Sequence, residues 1–70
     1  MDIGIDHEII QPLAVLSETL MYTKEVNLIS WNGAEPVVDI RRWKGRKALK
    51  GITVTLDEAK ILAAALSDLK

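Results

Sequence analysis

Residues 24–43 read KEVNLISWNGAEPVVDIRRW, and the register of this stretch decides the fold. Two alternating runs flank Asn32-Gly33. In the first, Val26 and Leu28 point one way while Glu25, Asn27, Ile29 and Trp31 point the other. In the second, Val38 and Ile40 share one face, and Val37, Asp39, Arg41 and Trp43 share the opposite one. Asn-Gly is itself a hairpin signal. A two-residue loop would pair Trp31 with Ala34 and mix apolar with charged residues on both faces. A three-residue loop, 32–34, gathers Val26, Leu28, Val38 and Ile40 into one apolar layer. It sends Trp31, Arg41 and Trp43 together to the other side. A one-residue slip exchanges the faces of a strand, so the hydrophobic pattern sets the register, not the turn dipeptide.

Downstream, residues 44–50 read as a basic connection. Residues 51–55, GITVT, form a fourth strand with Ile52 and Val54 on one face. Thr55-Leu56-Asp57-Glu58 has the pattern of a capping box, and Asp57 and Glu58 suit the positive end of a helix. The helix runs to about Leu69. Its apolar residues cover an arc of about 200°, twice the width of a minimal core-facing stripe. One sheet cannot cover that arc. Its outlying edge, with Ile61 and Ala65, predicts a symmetric helix–helix contact in a homodimer.

Upstream, residues 7–17, HEIIQPLAVLS, read as a first strand. Pro12 places it at a sheet edge or at a bulge. Strict alternation puts Ile9, Leu13 and Val15 on one face and Ile10, Ala14 and Leu16 on the other. Residues 18–23 fit a helical turn or a loop, and residues 1–6 a short arm. The expected class is α+β: a four-stranded antiparallel sheet followed by one C-terminal helix, in a single domain over residues 1–70.

The chain has 70 residues, no cysteine, and 49% apolar residues. A lone domain of this size buries only about 60% of its unfolded surface. Disulfides and thiolate metal sites are excluded, which leaves oligomerisation as the common remedy. The longest apolar runs are too short for a membrane span. The acidic start MDIGIDHE lacks the basic region of a secretory signal, so a cytoplasmic protein is expected.

The net charge of −1 conceals an asymmetry. Residues 1–40 carry one cation and seven acids, a balance of −6, whereas residues 41–50 carry +6. Both tryptophans, Trp31 and Trp43, stand in or beside this basic segment, with Arg41, Lys44, Arg46, Lys47 and Lys50. Aromatic rings among cations suit a polyanion that carries flat bases: rings stack on bases and cations neutralise phosphates. His7, the only histidine, has no partner at ligand spacing. No phosphate loop, nucleophile–base pair or metal cluster is present in the sequence, so neither catalysis nor a cofactor is expected.

The segments LISWNG, VVDIRRW and KGITVTLDEAKILAAAL carry a resemblance. Together they are similar to the positive cofactor four family of single-stranded-DNA-binding transcriptional coactivators, in its short bacterial form. The resemblance covers roughly residues 24–66. It implies a curved sheet, a homodimer, and channels for single-stranded DNA with little sequence preference. It further implies Trp31 and Trp43 as base-stacking aromatics, and Arg41 and Lys50 as phosphate contacts. Two other readings remain open: single-stranded RNA on the same surface, and a protein-interaction module docking through the Trp face. Steep salt dependence separates phosphate binding from an apolar dock.

Overall fold

The structure, a computed structural model, describes residues 6–69. Four strands form one antiparallel sheet in the order β1-β2-β3-β4. They are β1 (His7–Glu18), β2 (Thr23–Trp31), β3 (Val37–Lys44) and β4 (Lys47–Val54), followed by α1 (Leu56–Ser67). The expected α+β order therefore stands. The arm expected at residues 1–6 lies outside the described residues, except for Asp6.

The central hairpin has the register that the apolar pattern selects. Val26 pairs with Ile40, Leu28 with Val38, and Ile29 with Val37. The turn dipeptide is satisfied as well. Asn32 (φ 52°) and Gly33 (φ 76°) both adopt left-handed backbone, the pattern of a type I′ turn, and the Ala34 amide donates to the Trp31 carbonyl at 2.9 Å. One extra residue between Ala34 and Val37 then shifts the chain into the ladder. Ser30 steadies this slip by donating its hydroxyl to the Ala34 carbonyl at 2.6 Å.

Two expectations change. The basic connection at 44–50 is mostly strand. Lys44 pairs with Lys47 across a turn made only of Gly45 and Arg46, so β4 begins four residues earlier than GITVT suggested. β1 is an edge strand and is bulged next to Pro12, the two settings that residue allowed, and it does not alternate. Its ladder with β2 shifts three times, leaving Ile10, Leu13 and Leu16 as the extra residues. Ile9, Pro12 and Val15 consequently stand opposite Ile29, Asn27 and Glu25, while Ala14 stands opposite Val26. Residues 19–22 form a loop tied by Thr19, whose hydroxyl accepts from the amides of Met21 and Tyr22.

Bulges add twist and bend, and the sheet curls. His7 pairs with Trp31, whereas Trp43 pairs with Thr23 at the other end of β2. On a flat sheet those levels would be about 26 Å apart. Yet the His7 ring lies 5.3 Å from Trp31 and 5.2 Å from Trp43. The face bearing the odd-numbered residues of β2 and β3 is therefore the inner face of a cup. Ile29, Asn27, Asp39 and Trp43 are buried there. Val26, Leu28, Val38 and Ile40 form the outer face and are only half-buried.

The capping box forms as read. The Thr55 hydroxyl accepts from the Glu58 amide at 3.0 Å, and the Thr55 amide donates to the Glu58 carboxylate at 2.8 Å. No residue of α1 is buried, and Ile61 is 71% exposed. The accessible surface, 5656 Å², exceeds the roughly 4,400 Å² expected of a folded 7.8 kDa monomer.

Candidate nucleic-acid interface

Trp31, Arg41 and Trp43 share the inner face, as the register requires. The Arg41 guanidinium carbon stands 4.8 Å from the centre of the Trp31 ring, within cation–π range. Arg41 is not free. Its Nε and Nη2 donate to the two Asp39 carboxylate oxygens at 2.7 and 2.8 Å, and Nη1 donates to the Leu49 carbonyl at 2.8 Å. Asp39 is fully buried, and the Arg41 side chain is 15% exposed. Three of the five guanidinium N–H groups are thus used within the protein, leaving two. The bidentate pair fixes the plane of the guanidinium over Trp31.

This geometry needs Gly51. Arg41 pairs with Gly51 just before the β3–β4 register shift. A Cβ built on Gly51 would overlap Arg41 Cβ and come within 2.5 Å of the Ile40 carbonyl oxygen. Only a residue without a side chain lets β4 approach closely enough for Arg41 to reach Leu49.

Trp43 is 3% exposed. It forms the inner wall of the cup, packed against His7. The indole Nε1 atoms of both Trp31 and Trp43 are buried without an acceptor, so packing holds these rings, not hydrogen bonds. Trp31 itself is half-buried. A hollow of about 390 Å³ opens beside them, lined by His7, Ile9, Glu25, Trp43, Gly45 and Arg46. Arg46, at the tip of the β3–β4 turn, is an exposed cation beside this aromatic cluster.

The remaining cations go elsewhere. Arg42 pairs with Lys24, and Lys44 with Lys47. These positions alternate with Arg41 and Trp43, so they belong to the outer face. Lys50 borders a hollow with Lys24 and Arg42. Rings and cations interleaved in sequence are therefore largely separated in space. The inner face instead holds Glu25 and Asp39. Glu25 accepts from Thr23 Oγ1 at 2.5 Å and from Asn27 Nδ2 at 3.2 Å, which gives the cup a polar stripe along β2. Ile61 and Ala65 are exposed on α1.

His7 was legible only as a lone histidine. Its place between two indoles depends on the curl, and the curl depends on three bulges, of which the sequence announced only the one at Pro12. Glu25 was visible as an inner-face residue by parity alone.

No protein-family model matches the chain, and no curated protein matches it. No helix among the described residues is long and apolar enough to cross a membrane. Among the described residues no group of three or more His, Asp or Glu could hold a metal ion.

Proposed function

We propose that this chain is a single-stranded DNA-binding protein that acts as a homodimer, in the manner of the positive cofactor four family, as a transcriptional coactivator or an accessory of replication or repair. The observation that carries the reading is the gathering of Trp31, Arg41, Trp43 and Arg46 about one cupped face. A base stacks on the half-buried Trp31 ring. The two unused N–H groups of Arg41 reach a flanking phosphate, and Asp39 keeps the guanidinium in plane for it. Arg46, beside the rings, neutralises a further phosphate, and Lys44, Lys47 and Lys50, on the outer face of the same hairpin, do so where the strand passes round its edge, without reading sequence. Duplex DNA binds more weakly, because its bases are already stacked.

The dimer half of the proposal rests on α1. Its exposed Ile61, Leu62 and Leu66, with Leu69 just past its end, call for a cover. A second copy supplies the same helix in a symmetric contact, with Ile61 and Ala65 at its centre.

The acids on the inner face, Glu25 and Asp39, favour a second reading, in which the cup docks a protein segment. Trp fluorescence titrated with oligo-dT and with the matching RNA, at two salt concentrations, separates the readings. Single-strand binding loses affinity with a slope of about −0.7 in log–log salt per phosphate contact. Trp31→Ala should weaken oligo-dT binding by about 1–3 kcal/mol. Wild-type protein that fails to bind oligo-dT at low salt defeats the proposal, and stronger binding of RNA moves it to the RNA form.

A further inference from the structure

We propose that the outer face carries a second anion site, a row made by Lys24, Arg42 and Lys50 that takes a chain of phosphates. Lys24 and Arg42 are cross-strand partners. The β3–β4 register shift, permitted by Gly51, brings Lys50 beside Arg42. All three line one hollow of about 330 Å³, together with Ile40, Arg41, Gly51 and Ile52. Neighbouring strands are about 4.8 Å apart, so the row spans about 10 Å across β2, β3 and β4.

Like charges facing each other across a sheet are destabilising, and nothing on this face offsets them. The only ion pair among the described residues joins Arg41 to Asp39. The acids closest in register, Glu18, Glu25 and Asp39, stand in the Thr23–Glu25–Asn27 register of the inner face. Arg42 is nonetheless held in place. Its guanidinium carbon lies 5.1 Å from the centre of the Tyr22 ring, which orients the guanidinium by stacking. Lys44 and Lys47 prolong the basic track on the same face toward the hairpin tip. A row of this length, with a flat guanidinium at its middle, matches consecutive phosphates better than one isolated anion.

The site does not depend on bases reaching Trp31, so its test is separate from that of the proposed function. The probes are inorganic tripolyphosphate, orthophosphate and oligo-dT, titrated calorimetrically at low salt into the full chain and into Lys24→Gln/Arg42→Gln. Circular dichroism checks the fold of the variant, and sedimentation its assembly. The wild type should bind tripolyphosphate at least tenfold more tightly than orthophosphate. The double variant should lose at least tenfold in tripolyphosphate affinity, whereas Trp31→Ala should keep it. If oligo-dT also weakens in the double variant, with a salt slope shallower by about 1.4, the phosphates are those of a strand crossing this face. If oligo-dT is unaffected, the row holds a free phosphate chain. Absent tripolyphosphate binding, or equal binding by the folded double variant, overturns the site. So does loss of the dimer in the variant without any tripolyphosphate binding by the wild type, which would make the row a contact between copies.

Discussion

Asp39→Asn is the most exacting perturbation of this structure. The substitution keeps shape and burial but removes the charge that Arg41 faces through two hydrogen bonds of 2.7 and 2.8 Å. Asp39 is fully buried and the Arg41 side chain is 15% exposed, so water cannot replace the lost partner. Breaking one side of a buried pair costs about 3–5 kcal/mol. A 70-residue domain has about 3.5–10 kcal/mol in total, at about 0.05–0.15 kcal/mol per residue. The variant should therefore lose from about a third to all of that stability. With a urea dependence of about 1 kcal/mol per molar, the midpoint should fall by about 3 M or more. Urea unfolding must be compared at one fixed protein concentration, since assembly stabilises the folded state. Arg41→Met alone should be at least as damaging, because it strands a buried carboxylate. The double variant Asp39→Asn/Arg41→Met should be more stable than the sum of the singles predicts. A single Asp39→Asn within about 1 kcal/mol of wild type would refute the claim that Asp39 is what holds the Arg41 guanidinium in place.

Gly51→Ala should destabilise by at least about 1–3 kcal/mol through overlap with Arg41, and amide exchange should speed up in β4 next to Leu49. Ile61→Lys should shift sedimentation from dimer toward monomer, while Lys60→Gln, on the same helix, should not; a wild-type monomer at micromolar concentration removes the dimer outright. Changing Lys44, Arg46, Lys47 and Lys50 together to Gln should lower affinity alike for all oligonucleotides and flatten the salt slope by up to about 0.7 for each lost contact. Unchanged affinity and slope would make the hairpin cations solvated charge only.

The central hairpin was legible because residues 24–43 alternate cleanly, so one register alone separates Val26, Leu28, Val38 and Ile40 from the charged positions. The structure keeps both that register and the Asn-Gly turn by inserting one residue between them. The capping box at Thr55 was equally plain, since its bonds are local. β1 was legible as an edge strand, but its faces were not, because each bulge resets the parity of every residue beyond it, and apolar residues at Ile9, Ile10, Leu13 and Leu16 fit several registers. The start of β4 was hidden by its composition: Lys47 and Lys50 look like loop residues until Lys44 is seen to pair with Lys47. At the site, the clustering of Trp31 with Arg41 followed from parity, but the burial of Trp43 and its contact with His7 needed the curl. Adjacency in the chain also masked the division of Arg42 and Lys44 from the rings, which parity alone already contained.

The three bulges of β1 also bear on solubility. An edge strand with exposed Ile10, Leu13 and Leu16 has the composition that templates sheet growth between molecules. A growing fibril needs a straight run of evenly spaced amides and carbonyls. Here Pro12 lacks one amide, and the extra residues at 10, 13 and 16 break the spacing every third position. The irregularity that bends the sheet thus also guards its open edge. A variant in which β1 was shortened to a straight, unbulged strand should be flatter and more regular, and should precipitate at lower concentration than the natural chain.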